Sequence, residues 1–85
     1  RIVGDLFTFL IREISEDIFA VGIIVSKKVG NAVTRNNVKR RVRAYLRELG
    51  TQHPDRKKII IIAKPEAGIA TRQAIIEDLD ICFKR

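Results

Sequence analysis

Residues 18–50 read IFAVGIIVSKKVGNAVTRNNVKRRVRAYLRELG, and a change of period inside this stretch decides the fold. Ile18 to Lys28 alternates as a strand does. One face is Phe19, Val21, Ile23 and Val25, wholly apolar and suited to a core. The other is Ala20, Gly22, Ile24, Ser26 and Lys28, small at first and then polar and basic. Taken alone, the pattern favours a solvated second face with Gly22 at a bulge over a polar ligand laid across the sheet. Val29 and Gly30 break the strand. Beyond them Val38, Val42, Tyr45, Leu46 and Leu49 recur at i, i+4, i+7, i+8 and i+11, one stripe of a helix over Ala32 to Leu49. Asn31 is its N-cap and Gly50 its C-terminal stop.

The same stretch carries the charge. Between Ser26 and Arg47 lie eight of the 17 Lys and Arg residues and none of the 10 acids. The rest of the chain carries nine bases against ten acids, so the net charge of +7 comes from one place. A helix surface that merely solvates interleaves acids with bases at i, i+4. Here Glu48 is the first acid, and like charges weaken the helix unless a polyanion relieves them.

Outward from this centre, Asp5 to Glu13 (DLFTFLIRE) reads as a first strand. Its short link through Ser15, Glu16 and Asp17 predicts an antiparallel hairpin with the second. Ile59 to Ala63 is apolar without alternation, as in a central strand buried on both faces, and Lys64-Pro65 ends it. Thr71 caps a last helix over Arg72 to Lys84, with Ile75, Ile76, Leu79, Cys82 and Phe83 as its core stripe and Glu77, Asp78 and Asp80 away from it. The order is strand, strand, helix, strand, helix: one 85-residue α+β domain, helices packed on one face of a small sheet.

Composition excludes several classes. No apolar run approaches the roughly 20 residues of a membrane span. One cysteine allows no internal disulfide and fits a reducing cytosol, so a cytoplasmic protein is expected. Acids are scattered, with no pair beside the basic stretch to hold a catalytic metal, which argues against an autonomous nuclease. His53 next to Pro54 reads as a solvated loop residue, and Cys82 as a buried structural thiol. A basic helix suits a DNA groove when a second helix precedes it; strands flank this one, and RNA is the better partner.

Val21 to Arg43 resembles the protein component of bacterial ribonuclease P, and Ile59 to Pro65 and the last helix resemble that family too. Arg35-Asn36-Asn37 stands where the family carries Arg-Asn-Arg. The resemblance implies a small cofactor to a catalytic RNA that frees the 5′ end of tRNA, with Mg²⁺ held mainly by the RNA, no cofactor in the protein and no catalytic side chain. It implies RNA contacts from Lys27, Lys28, Asn31, Arg35, Asn36, Asn37, Lys39, Arg40, Arg43 and Arg47. It places the 5′ leader of precursor tRNA in a cleft with Phe9, Ser26, Lys28, Lys39 and Arg43. It further implies a two-layer sandwich like ribosomal S5 domain 2, with a small mixed sheet and a left-handed strand–helix–strand crossover, against the usual right hand. The family begins with a helix beside the sheet, and no such segment precedes the first strand here. An exposed apolar strip is expected in its place, with Phe7, Phe9 and Ile11 as candidates. A ribosomal S5-type RNA-binding domain without a processing role is the alternative.

Overall fold

The computed structural model describes residues 1–13, 19–49 and 57–84. Its elements in chain order are β1 (Ile2–Val3), β2 (Phe7–Glu13), β3 (Phe19–Ile24), α1 (Ala32–Leu49), β4 (Lys57–Ala63) and α2 (Arg72–Lys84). Short 3-10 turns at Lys27–Val29 and Pro65–Gly68 precede the two helices. The strands form one mixed sheet in the order β1-β2-β4-β3. The strand–strand–helix–strand–helix order holds, with the two-residue β1 added at the edge.

The expected hairpin does not form. β4 lies between β2 and β3, antiparallel to the first and parallel to the second. The physical reason is in its sequence: Ile59 to Ile62 are apolar toward both faces, so the middle of the sheet removes most of their surface from water. β2 and β3, each with one polar or small-residue face, tolerate the flanking positions.

Register sorts the side chains into two faces. Phe9 and Ile23 both pair with Ile61, Phe7 with Ala63, and Val21 with Ile59. This set faces the helices. Phe7, Phe9, Ile59, Ile61 and Ala63 are buried, together with Val38 and Val42 of α1 and Ile75, Leu79 and Cys82 of α2. Cys82 is buried, as expected. Phe83 ties the layers: its ring meets Phe9 edge-on at 4.9 Å and stacks on Tyr45 at 5.6 Å.

Four further expectations change. The apolar strip left open is mainly the other face of the sheet: Val3, Leu10 and Ile24 are exposed there, while Phe7 and Phe9 are buried; Ile11, at the far end of β2, is exposed as expected. Gly22 pairs in unbroken register with Ile60, so there is no bulge, and nothing lies within 4 Å of where its Cβ would be. Asp78 is buried rather than turned away: its carboxylate accepts the backbone N–H groups of Asp5 (2.9 Å), Leu6 (3.1 Å) and Phe7 (3.0 Å). The chain entering β2 has no strand partner for those donors, and the carboxylate supplies one. Lys64 Nζ donates to the Gly4 carbonyl at 2.6 Å from the other side. Ile76, placed in the core stripe by its spacing, stands outside the core cluster. The His53 turn and the Ser15–Asp17 link lie outside the described residues.

Candidate nucleic-acid interface

β3 ends at Ile24, four residues short of Lys28, so Ser26 and Lys28 are not on the strand. Ser26 instead caps the first 3-10 turn, its hydroxyl accepting from Lys28 N–H at 3.3 Å. Lys27 and Lys28 are exposed on that turn, and Val29 plugs it into the core. Gly30 then reverses the chain at a φ of 155°, where a Cβ would sit 2.9 Å from Thr34 Cβ. Asn31 caps α1 as expected: Oδ1 accepts from Thr34 N–H at 2.9 Å. That bond commits its side-chain oxygen and leaves its amide NH₂ for a ligand.

Along α1 the basic residues divide into three groups. Asn36, Arg40, Arg43 and Arg47 follow i, i+4, i+7 and i+11, spread over about 60° of the helix and roughly 16 Å of its axis. All four are exposed and line one shallow concavity. Asn37, Arg40 and Arg41 turn toward α2 and border a second cleft with Arg72. Arg35 falls in line with Val42 and Leu46, on the edge of the apolar stripe. It is half-buried, and its Nε is sequestered with no hydrogen-bond partner. Lys39, also half-buried, lies between Arg35 and the outer strip.

Among the described residues no ion pair joins these cations to an acid, so the field that the sequence concentrates here is not neutralised by the fold. No three His, Cys, Asp or Glu side chains among the described residues come together as metal ligands, and no described helix is long and apolar enough to cross a membrane. Such a surface can pair guanidinium groups with phosphate oxygens and offer asparagine amides to base edges or 2′-hydroxyls.

Of the expected leader-cleft residues, Ser26, Lys28 and Arg43 are exposed and Lys39 is half-open, but Phe9 is not available: it is 1% exposed and lies under Phe83. Alternation in β2 could not tell which face the helices would cover. Two participants escaped the sequence reading. Arg72 was read only as the start of a helix, and Tyr45 only as core. Tyr45 also donates its hydroxyl to Asp80 at 2.5 Å, and burial, then this bond and the Asp80 charge, push its pKa up. The spacing of Asp80 on α2 held no signal for that pairing, which joins residues 35 apart.

A family model described as Ribonuclease P matches residues 1–85. The ribonuclease P protein component of Thermus scotoductus is 48% identical over 65 residues, covering 76% of this chain and 38% of that protein. That of Bacillus cereus strain B4264 is 40% identical over 67 residues, 79% of this chain and 58% of that protein. The chain thus spans between two and three fifths of the length of these relatives. Among solved structures, the Staphylococcus aureus RNase P protein superposes with a TM-score of 0.87 at 34% identity, over 98% of this chain and 76% of that one. The Thermotoga maritima RNase P protein in complex with 1-(4-fluorophenyl)-2-thiourea does so at 0.86 and 27%, over 99% and 82%.

Proposed function

The chain belongs to the ribonuclease P protein family, and on that premise we propose that it acts as the protein subunit of this ribonucleoprotein. It binds the catalytic RNA through α1 and the turn before it. It helps hold the 5′ leader of precursor tRNA while the RNA, with its Mg²⁺, cuts. The working compartment is the cytoplasm.

The observation that carries this reading is the stripe Asn36, Arg40, Arg43 and Arg47, exposed and unpaired on one side of α1. Like charges at i, i+3 and i+4 cost the isolated helix about 0.2–0.5 kcal/mol each, a cost that phosphates convert into attraction. Lys27, Lys28, Arg35 and Lys39 extend the cationic surface toward the helix N-terminus, with Asn31 and Asn37 as polar partners. For the leader, Ser26, Lys28, Lys39 and Arg43 remain the polar contacts. The exposed sheet face with Leu10, Gly22 and Ile24 replaces Phe9 as the apolar surface on which unstacked bases rest.

The test is reconstitution with a bacterial ribonuclease P RNA and precursor tRNA at low Mg²⁺. The chain should stimulate release of the 5′ leader and show no cleavage by itself. A protein that binds the RNA yet leaves cleavage unchanged fits a ribosomal-type binding domain instead. Cleavage by the RNA-free protein overturns the division of labour.

A further inference from the structure

Arg72 opens α2, a helix end where the dipole disfavours a cation, and no acid occupies its first turn. Its side chain joins Arg40 and Arg41 around a cleft of about 260 Å³ between the helices. Three guanidinium groups from two elements therefore share one concavity. Among the described residues the only acid lining it is Glu48. That residue lies seven positions beyond Arg41, roughly 10 Å along the axis. Its i−3 and i−4 neighbours are Tyr45 and Ala44, so no cation of its own helix stands beside it.

The floor differs from that of the outer strip. Ala44, Ile76 and the Tyr45 ring give this cleft a mainly apolar floor, whereas the outer concavity is lined by Asn36 and three arginines, with no apolar or aromatic residue. Tyr45 is held rigid by Phe83 on its face and Asp80 at its hydroxyl. Cations around a flat apolar floor suit a ligand with both a planar face and a negative charge. We propose that the α1–α2 cleft takes one unstacked nucleotide of the RNA partner, its base on Ala44, Ile76 and Tyr45 and its phosphate on Arg41 and Arg72. This deepens the ribonuclease P reading and rests on it for the identity of the RNA. A volume near the lower end of small-ligand sites, roughly 300 Å³, holds one nucleotide and not a duplex.

The probe is adenosine 5′-monophosphate, titrated into the isotope-labelled chain and followed by NMR. Shifts should centre on the amides of Arg41, Ala44, Tyr45, Arg72 and Ile76. Arg72→Ala should weaken binding roughly tenfold or more, and Ile76→Ser about tenfold, with circular dichroism unchanged. Arg72→Lys should retain part of the affinity. Absent shifts, or equal binding of inorganic phosphate to the same residues, overturn the nucleotide assignment. In parallel, Arg43→Ala/Arg47→Ala is measured against ribonuclease P RNA. If that variant loses RNA affinity while adenosine 5′-monophosphate fails to bind the cleft, the family reading stands and the cleft proposal falls. If the nucleotide binds but the chain stimulates no cleavage, the reverse holds.

Discussion

Replacing Asp78 with Ala should be the most costly single truncation of a polar side chain in this protein. The carboxylate accepts three backbone N–H groups, from Asp5, Leu6 and Phe7, and is 6% exposed. A hydrogen bond to a charged acceptor contributes about 1.5–3 kcal/mol, and an orphaned buried donor costs about 1–3 kcal/mol. Three bonds to one group are not additive, and the Asp5 donor can turn to water. The expected loss is therefore about 3–5 kcal/mol, out of roughly 5–10 kcal/mol for a chain of this size. That corresponds to a fall in Tm of roughly 12–40 °C. Urea unfolding, followed by circular dichroism, should show a lower midpoint with an unchanged slope. A second substitution sharpens the test. A Cβ on Gly4 would meet both Asp78 oxygens, at 2.7 and 2.8 Å, and Cys82 Sγ at 2.8 Å. Gly4→Ala should thus be costly in the native background and less so beside Asp78→Ala. If Asp78→Ala costs under about 1 kcal/mol, or if the two substitutions add independently, the carboxylate is not the latch described.

Other outcomes follow from single observations. Arg43→Ala/Arg47→Ala should reduce the salt slope of RNA binding by roughly 1.4–1.8, as expected for two lost phosphate contacts; an unchanged slope would remove the outer strip from the interface. Gly68→Ala should destabilise by roughly 1–3 kcal/mol in thermal melts, because its Cβ would lie far inside van der Waals contact with the Val29 carbonyl oxygen and force the two 3-10 turns apart. Gly22→Val should leave melting unchanged or raise it slightly, since the space is empty, while weakening leader binding if bases lie on that face; a protein that unfolds shows the face to be closed. Tyr45 is the only tyrosine, so its ionisation is read directly by ultraviolet absorbance. Its folded pKa is raised above the ordinary 10.0. Its contribution is therefore complete below about pH 10 and is lost as pH rises toward the folded value. Tyr45→Phe should flatten the alkaline limb of the stability curve, and an identical limb in both proteins would refute the assignment.

The helices were legible because their signals are local. Asn31 and Thr71 cap where their side chains predict, and the stripe Val38, Val42, Tyr45, Leu46 has one solution. Pairing was less legible. A short link between two strands argues for a hairpin, yet the winning term was burial of a third strand distant in sequence, and no local pattern reports it. Parity failed for a related reason: Phe7, Phe9 and Ile11 alternate with Leu6, Thr8 and Leu10, and both sets carry apolar residues. Charge concentration on α1 was plain in composition. Its division into an outer strip and an inner cleft depends on where Arg72 arrives, which only packing decides. Asp78 reads as an ordinary solvated acid until the β1–β2 turn is brought against it.

The placement of β4 has a consequence for how the chain reaches its native state. A ribosome delivers β2 and β3 first, as neighbours in sequence that must not zip together. A strand-wide gap has to stay open until residues 57–63 emerge and slide in, antiparallel to one flank and parallel to the other. Closure of the sheet is therefore a late, long-range event, slow by the standards of local contacts and exposed to mispairing meanwhile.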